Sequence, residues 1–323
     1  MKKKPILLFT IFLLFVSCNE EPEIIHVSGI TLYYSTVTLV IGETCLLEVT
    51  VSPDNAEDKS IQWSSSVPEV ATVKDGLIEA ISEGETRIMA ETRDGGFIAR
   101  CLVIVKPPFI VVEGQKCVDL GLSVKWAYYN LGASTPEEFG EFYAWGEVTP
   151  KDVYNYDNYK YWGVTGNSQE GTTSYTYYGF TKYCTSNRSD KERYDIIDGK
   201  TTLDLSDDAV NYKYGGKWRM PTYNEWNELH TSCTWRWTTV NNVEGYLIIG
   251  KNGNKLFLPN AGQVFGETYY TEWTKYWTSS LDLTAPRNSY AYSSWCMNWR
   301  HLMSKGEGWD ERYYGHTIRG VIK

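Results

Sequence analysis

The sequence has little with which to hold a metal or run redox chemistry. Its four histidines, His26, His230, His301 and His316, are scattered, and no CxxC pair or Cys/His cluster occurs. No zinc site is therefore expected, since such sites need ligands at close, regular spacing. Positive charge is also short, with 31 Lys and Arg against 40 Asp and Glu for a net charge of −9. Phosphate binding needs a basic face, which excludes a nucleic-acid partner. Apart from residues 6–16 no segment is apolar enough to cross a bilayer, and that run is shorter than the roughly 20 residues a spanning helix requires. What the chain does have is aromatic surface: 13 Trp and 25 Tyr, side chains that either fill cores or serve as rigid contact area at binding sites.

The first residues are organised for export. Lys2, Lys3 and Lys4 precede the apolar run, and a small residue, Ser17, stands before Cys18. A positive start, a short apolar stretch and a small residue at the break form a secretory signal. Phe15-Val16-Ser17-Cys18 resembles the lipobox of bacterial lipoproteins, which implies that Cys18 is diacylated and becomes the mature N-terminus. Several acyl chains anchor far more firmly than one, because each buried methylene contributes ~0.8 kcal/mol. Asn19-Glu20-Glu21 is similar to the surface-export signal of Bacteroidetes lipoproteins, which implies the outer face of the outer membrane. The remaining cysteines are Cys45, Cys101, Cys117, Cys184, Cys233 and Cys296, whose pairing sequence alone does not decide.

Residues 24–106 alternate in strand fashion between turn formers. Segments 32–41, 44–51, 60–64, 71–73, 86–91 and 98–105 are rich in β-branched and apolar residues, and Gly42-Glu43, Pro53-Asp54-Asn55, Asp75-Gly76 and Asp94-Gly95-Gly96 break them. Short strands at this spacing predict an all-β, Ig-like sandwich. Alternation puts Cys45, Leu47, Val49 and Val51 on one face, and Cys101, Val103 and Val105 on one face of the last strand. Pairing of Cys45 with Cys101 in a disulfide is the expectation, with two buried free thiols as the alternative. The run Val27-Ser28-Gly29-Ile30, Ile41-Gly42-Glu43-Thr44, Val51-Ser52-Pro53-Asp54-Asn55-Ala56, Trp63-Ser64-Ser65-Ser66, Val70-Ala71-Thr72-Val73 and Glu83-Gly84-Glu85-Thr86 resembles bacterial Ig-like group 2 domains over about 80 residues. That likeness implies a spacer or adhesive module. Pro107-Pro108 opens a short, stiff connector, residues 107–113.

Residues 114–323 mix the two periodicities. Thr135-Pro136-Glu137-Glu138 reads as a capping box for a short helical turn stopped by Gly140, and Thr222-Tyr223-Asn224-Glu225 repeats the device at a helix start. Tyr223, Trp226, Leu229 and His230 recur at helical spacing. Strands are expected at 245–249, 255–258, 276–280 and 317–322. Gly215-Gly216-Lys217-Trp218-Arg219-Met220-Pro221-Thr222, together with residues 118–127, Tyr143-Ala144-Trp145-Gly146-Glu147 and Tyr276-Trp277-Thr278-Ser279-Ser280, resembles the Fibrobacter succinogenes major paralogous domain. The resemblance implies an α+β C-type-lectin-like domain related to formylglycine-generating enzymes.

No catalytic constellation accompanies it. Formylglycine-generating enzymes hold copper with two cysteines near the C-terminus, where this chain has Cys296 alone. Glu137-Glu138, Asp207-Asp208 and Asp310-Glu311 are adjacent pairs, and adjacent carboxylates do not face each other across a substrate. Residues 204–208 lack the alternating oxygen ligands of a calcium loop. Neither cofactor nor metal is expected. Aromatic residues crowd two polar stretches, Tyr154, Tyr156, Tyr159, Tyr161 and Trp162 in one and the C-terminal region in the other. Trp295, Trp299, Trp309, Tyr313 and Tyr314, interleaved with charges, are the expected ligand-binding patch. The function expected is thus non-catalytic recognition of an extracellular glycan or protein by a lipoprotein tethered to outer-membrane lipid through Cys18. A structural surface or fimbrial component is the alternative, with an oxidase a more distant one.

Overall fold

A computed structural model of the chain describes residues 23–185, 195–271, 274–281, 293–300 and 304–323. Cys18 lies outside the described residues. The chain divides into two units, Met1–Pro107 and Pro108–Lys323. No helix among the described residues is long and apolar enough to cross a membrane.

In the first unit short alternating segments make nine strands: β1 (Gly29–Leu32), β2 (Thr36–Val40), β3 (Thr44–Leu46), β4 (Val49–Ser52), β5 (Ile61–Ser65), β6 (Ala71–Lys74), β7 (Leu77–Ala80), β8 (Gly84–Thr92) and β9 (Ile98–Lys106). They assemble as a four-stranded sheet β2-β9-β8-β5, a three-stranded sheet β3-β7-β6 and the pair β1-β4. The expected alternation on β9 holds: Cys101, Val103 and Val105 are buried in the core with Leu39, Leu47, Ile78 and Ile88. Burying each such aliphatic side chain contributes about 1.5–3 kcal/mol. The stretch expected as one strand over 44–51 is two, because Leu47 turns inward at the break and the chain moves from the partner β7 to the partner β1. The turn Asp75-Gly76 has positive φ at both residues, and a side chain at Gly76 would press on the Trp63 ring and the Leu47 carbonyl. The expected Cys45–Cys101 disulfide is corrected: both are free thiols. Cys45 is only half buried on β3, and each sulfur is directed to its own neighbour's carbonyl, at Leu46 and Leu102.

The second unit holds β10 (Ile110–Val112), β11 (Gln115–Val118), β12 (Lys125–Ala127), β13 (Trp162–Glu170), β14 (Thr173–Phe180), helices α1 (Ala209–Tyr214) and α2 (Tyr223–Ser232), β15 (Thr234–Val240), β16 (Val243–Ile249), β17 (Lys255–Pro259), β18 (Gln263–Phe265), β19 (Thr268–Tyr270), β20 (Thr274–Leu281), β21 (Ser293–Arg300), β22 (Ser304–Glu311) and β23 (Val321–Ile322). Its larger sheets are β10-β11-β12-β23, β15-β16-β17 and β20-β21-β22. The chain as described is therefore mostly β, with two short helices. Strand β20 separates two cores, since successive side chains point to opposite faces: Tyr276 lies with Trp126 and Trp226 in one, Trp277 with Trp145 and Trp218 in the other.

One local expectation changes. The strand expected over 317–322 is confined to Val321–Ile322, preceded by a single parallel bridge between Tyr276 and Thr317. The short helical turn expected at Thr135 is a turn that ends before Gly140. Glu138 there reaches back to the Ser134 amide (2.6 Å) and hydroxyl, and Gly140, at φ +73°, passes so close to the Leu131 carbonyl that any side chain would collide.

Candidate recognition site

The sequence's sharpest motif is structural. Trp218 is fully buried and donates from Nε1 to the Val112 carbonyl (3.2 Å). Arg219 forms a two-pronged pair with Glu225, Nη1 to Oε2 at 2.8 Å and Nη2 to Oε1 at 2.5 Å. Glu225 Oε2 also accepts the Thr222 amide (2.8 Å), while Thr222 Oγ1 accepts the Glu225 amide (3.3 Å). The capping box thus starts α2 and locks Arg219 in one arrangement. Just upstream, buried Asp208 caps α1, accepting the amides of Val210 and Asn211, and its other oxygen takes the Met220 amide at 2.7 Å. Burial outweighs these three donors and raises the Asp208 carboxyl to about 6. Asp207 lies the other way: burial opposes its charge, but Lys182, Tyr161, Tyr183 and Lys160 together hold it far below the usual carboxylate range. Lysine ammonium groups fill the acceptor positions of Asp204 and Asp207, with Lys182 reaching both.

The two aromatic stretches singled out in the sequence converge. Strand β18 lies between them: Gly266, just past its end, exchanges both backbone hydrogen bonds with Tyr154 (2.9 Å each), and Val264 does the same with Gly315. Tyr154 is buried, its hydroxyl donating to the Phe142 carbonyl at 2.6 Å, and its ring packs where a side chain on Gly315 would sit. Tyr159 is likewise an anchor, donating to the Trp145 carbonyl at 2.8 Å. Tyr156 and Trp162 are half-buried, packed against the edge of the same core.

Their rings continue into those of the C-terminal turn. Trp162 lies 5.0 Å from Tyr156, Tyr156 lies 4.1 Å from Tyr313, Tyr313 lies 5.0 Å from Tyr314, and Tyr314 lies 4.7 Å from Phe265. Three of these spacings fall in the range where offset and edge-to-face aromatic pairs are favourable, and Tyr156–Tyr313 is closer still. Phe265 is 40% exposed, Tyr314 half-buried and Tyr313 only 7% exposed. Tyr313 therefore supports the ladder from below rather than forming part of an open patch. Buried Glu311 lies beside it, 3.5 Å from the Tyr156 hydroxyl. Burial and then the Glu311 charge push the Tyr313 phenol well above its ordinary range.

Of the other patch residues, backbone register alone is described. Trp295 is opposite Trp309 and Trp299 opposite Lys305 across β21 and β22, with Trp299 also opposite Thr274. Phe265 was missed by sequence reasoning, although Gln263-Val264-Phe265 before Gly266 carries the alternation and turn signal of a short strand.

Below the ladder lies a closed cluster of charge. Asp310 Oδ2 meets the Lys275 ammonium and lies 3.2 Å from His316 Nε2, while Oδ1 accepts the Glu311 amide at 2.9 Å. His316 is fully buried, with its ring 4.1 Å from that of Trp277. Deeper still, Arg319 is fully buried, its guanidinium donating to Asn130 Oδ1 (2.8 Å) and to the carbonyls of Ala127 (3.1 Å) and Phe257 (2.9 Å).

Residues 26–103 match the bacterial Ig-like domain, group 2. The first unit is a bacterial Ig-like domain. The A type blood N-acetyl-alpha-D-galactosamine deacetylase of Flavonifractor plautii is 33% identical over 104 residues, covering 32% of this chain and 14% of that protein. The Ig-like virion protein of Serratia phage KSP90 is 36% identical over 84 residues, covering 25% of this chain and 33% of that protein. The chain thus spans a third or less of either relative. Among solved structures, domains 4 and 5 of the S-layer protein SbsC align with 24% of this chain and 51% of that one, at 20% identity and a TM-score of 0.22. That score is too low to extend the Ig-like assignment to the second unit.

Proposed function

We propose that this chain is a non-catalytic surface lipoprotein, held in outer-membrane lipid through Cys18, whose second unit is a C-type-lectin-like head that binds an extracellular glycan or protein. The bacterial Ig-like domain serves as its stalk. The observation that carries the reading is the ring ladder from Trp162 through Tyr156, Tyr313 and Tyr314 to Phe265. Rings stacked on one another and backed by paired backbone keep their orientation, so little conformational entropy is lost when a ligand lies on them. Half-exposed aromatic faces suit the apolar faces of sugar rings and the side chains of a protein partner equally. The buried Lys275, Asp310 and His316 are closed to solvent at 8%, 6% and 0% exposure, which argues against their use on a substrate.

The test is a glycan and matrix-protein array probed with the detergent-solubilised full-length protein. Binding is expected, and Phe265→Ala and Tyr314→Ala should each weaken it about tenfold, or about 1.4 kcal/mol, with the circular dichroism spectrum unchanged. Binding that survives both substitutions removes the ladder as the site. Self-assembly with no array signal favours the structural-component alternative.

A further inference from the structure

Tyr313 and Tyr314, which join Tyr156 to Phe265 in the ladder, lie on the turn 311–315, and that turn is framed at its ends by Asp310 and His316. Its backbone is held by the Tyr314 amide on the Glu311 carbonyl (3.0 Å), the paired bonds of Gly315 with Val264, and those of His316 with Tyr143 (3.0 and 3.1 Å). The side chains beneath the turn are Asp310 at the end of β22, Lys275 on β20 and His316, all buried. A single carboxylate oxygen, Asp310 Oδ2, faces both the ammonium and the imidazole. The cluster is electrically neutral only while the imidazole is uncharged, because Lys275 already balances Asp310.

Among the described residues, the other carboxylates of the turn and of the segment paired with His316 are engaged elsewhere. Glu141, which comes from the segment paired with His316, binds the Tyr143 hydroxyl and Lys213. Glu311 lies beside the Tyr156 hydroxyl. Arg312, on the same turn, adds positive charge and is directed to the carbonyls of Lys182 and Tyr183. Among the described residues the Trp277 and Tyr314 rings also neighbour the imidazole, 4.1 and 6.4 Å away. Neither His316 nitrogen has a well-aligned hydrogen bond, and what faces the ring is the Asp310 oxygen already shared with Lys275 and the Gly315 backbone, so proton uptake would leave a fully buried cation without a counter-charge of its own. Burying an unbalanced charge is costly enough that the surrounding structure opens or the proton is refused.

We propose that the Lys275–Asp310–His316 cluster is an acid-sensitive latch under the recognition ladder: in mildly acidic solution His316 takes up a proton, the turn 311–315 opens, and Tyr313 and Tyr314 leave the ring stack. The consequence for ligand release rests on the binding function proposed above; the opening itself does not. Burial holds the His316 imidazole below its ordinary value near 6.5, with Asp310 pulling the other way. The latch therefore stays shut at neutral pH and yields as pH falls below that ordinary value.

Amide hydrogen exchange of the full-length, ligand-free protein tests this. Relative to intrinsic exchange rates, protection at Tyr314, Gly315 and His316 should fall between pH 7.5 and pH 5.5 by up to about tenfold, the most that one proton with an open-state value near 6.5 supplies over that interval, while protection in the Ig-like domain stays level. Lys275→Met removes the competing cation, so protonated His316 can pair with Asp310. In that variant the acid-induced loss of protection should disappear, whereas a merely structural lysine would lower protection at both pH values. Equal protection at the two pH values in the wild type, or acid opening that persists in Lys275→Met, overturns the latch. A blank glycan array leaves the latch untouched, and level exchange leaves the binding reading untouched, so the two fail separately.

Discussion

Asp208 combines capping of α1, support of the Met220 amide and near-complete burial in one carboxylate. Three amide donors favour its charged form, yet burial dominates and lifts it from an ordinary value of 3.8 to about 6. The folded chain then binds a proton that the unfolded chain has released. This residue's contribution to stability is full below its unfolded value and is lost as pH rises through about 6. The opposite sign holds for His316, whose lowered value makes stability fall as pH drops below about 6.5. In an NMR titration the Val210 and Asn211 amides should shift together with a midpoint near 6; a midpoint near 4, the free aspartate range, would show that the amides and not burial set the balance. From sequence, Asp207 and Asp208 are an adjacent acidic pair at a helix start. That one is held charged by lysines and the other buried under α1 depends on Lys160 and Lys182, 47 and 25 residues away.

Among the elements, α2 was the most legible. Its cap, its third-position Glu225 and the stripe that buries Trp226 and Leu229 are all local, and all are present. Thr222→Ala removes the oxygen that takes the Glu225 amide and loosens the carboxylate that grips Arg219. It should lower stability in urea unfolding by about 1 kcal/mol, and a change within error would mean Glu225 and Arg219 hold the helix start unaided. The hairpin of β13 and β14 was not legible. Apart from Trp162, Val164, Gln169, Glu170 and Phe180 its strand residues are Gly, Ser, Thr, Asn and Tyr, a loop-like mixture, and only cross-strand pairing from Trp162↔Phe180 to Glu170↔Thr173 makes it a ribbon. The turn at Thr135 was legible, since its capping signal and the tight return at Gly140 are both local.

On the scale of the whole chain, the turn chemistry of the Ig-like domain was readable because its β-hairpin registers are set locally by turns such as Asp75-Gly76. The ring ladder was not, since Tyr156 and Tyr313 meet only through pairing on the two sides of β18. The Ig-like domain and the second unit have separate cores, with Ile78, Ile88 and Val103 in the one and Trp126, Trp145, Trp218 and Trp226 in the other. Calorimetry of the full-length protein should accordingly resolve two transitions, and Ile88→Ala, which empties the first core, should move only one of them, costing about 2–5 kcal/mol. A single transition shifted as a block would mean that the units unfold cooperatively.

The clamping of β18 between Tyr154 and Gly315 also dictates when the surface can exist. Gly315, the partner of Val264, leaves the ribosome only after residues 265–314, and β12 waits longer still for Val321 and Ile322. The Ig-like domain can close during synthesis, whereas the second unit must keep its aromatic strands uncommitted until residues 311–322 arrive. A nascent chain stalled or clipped before that point carries a closed Ig-like domain and an unfinished second unit.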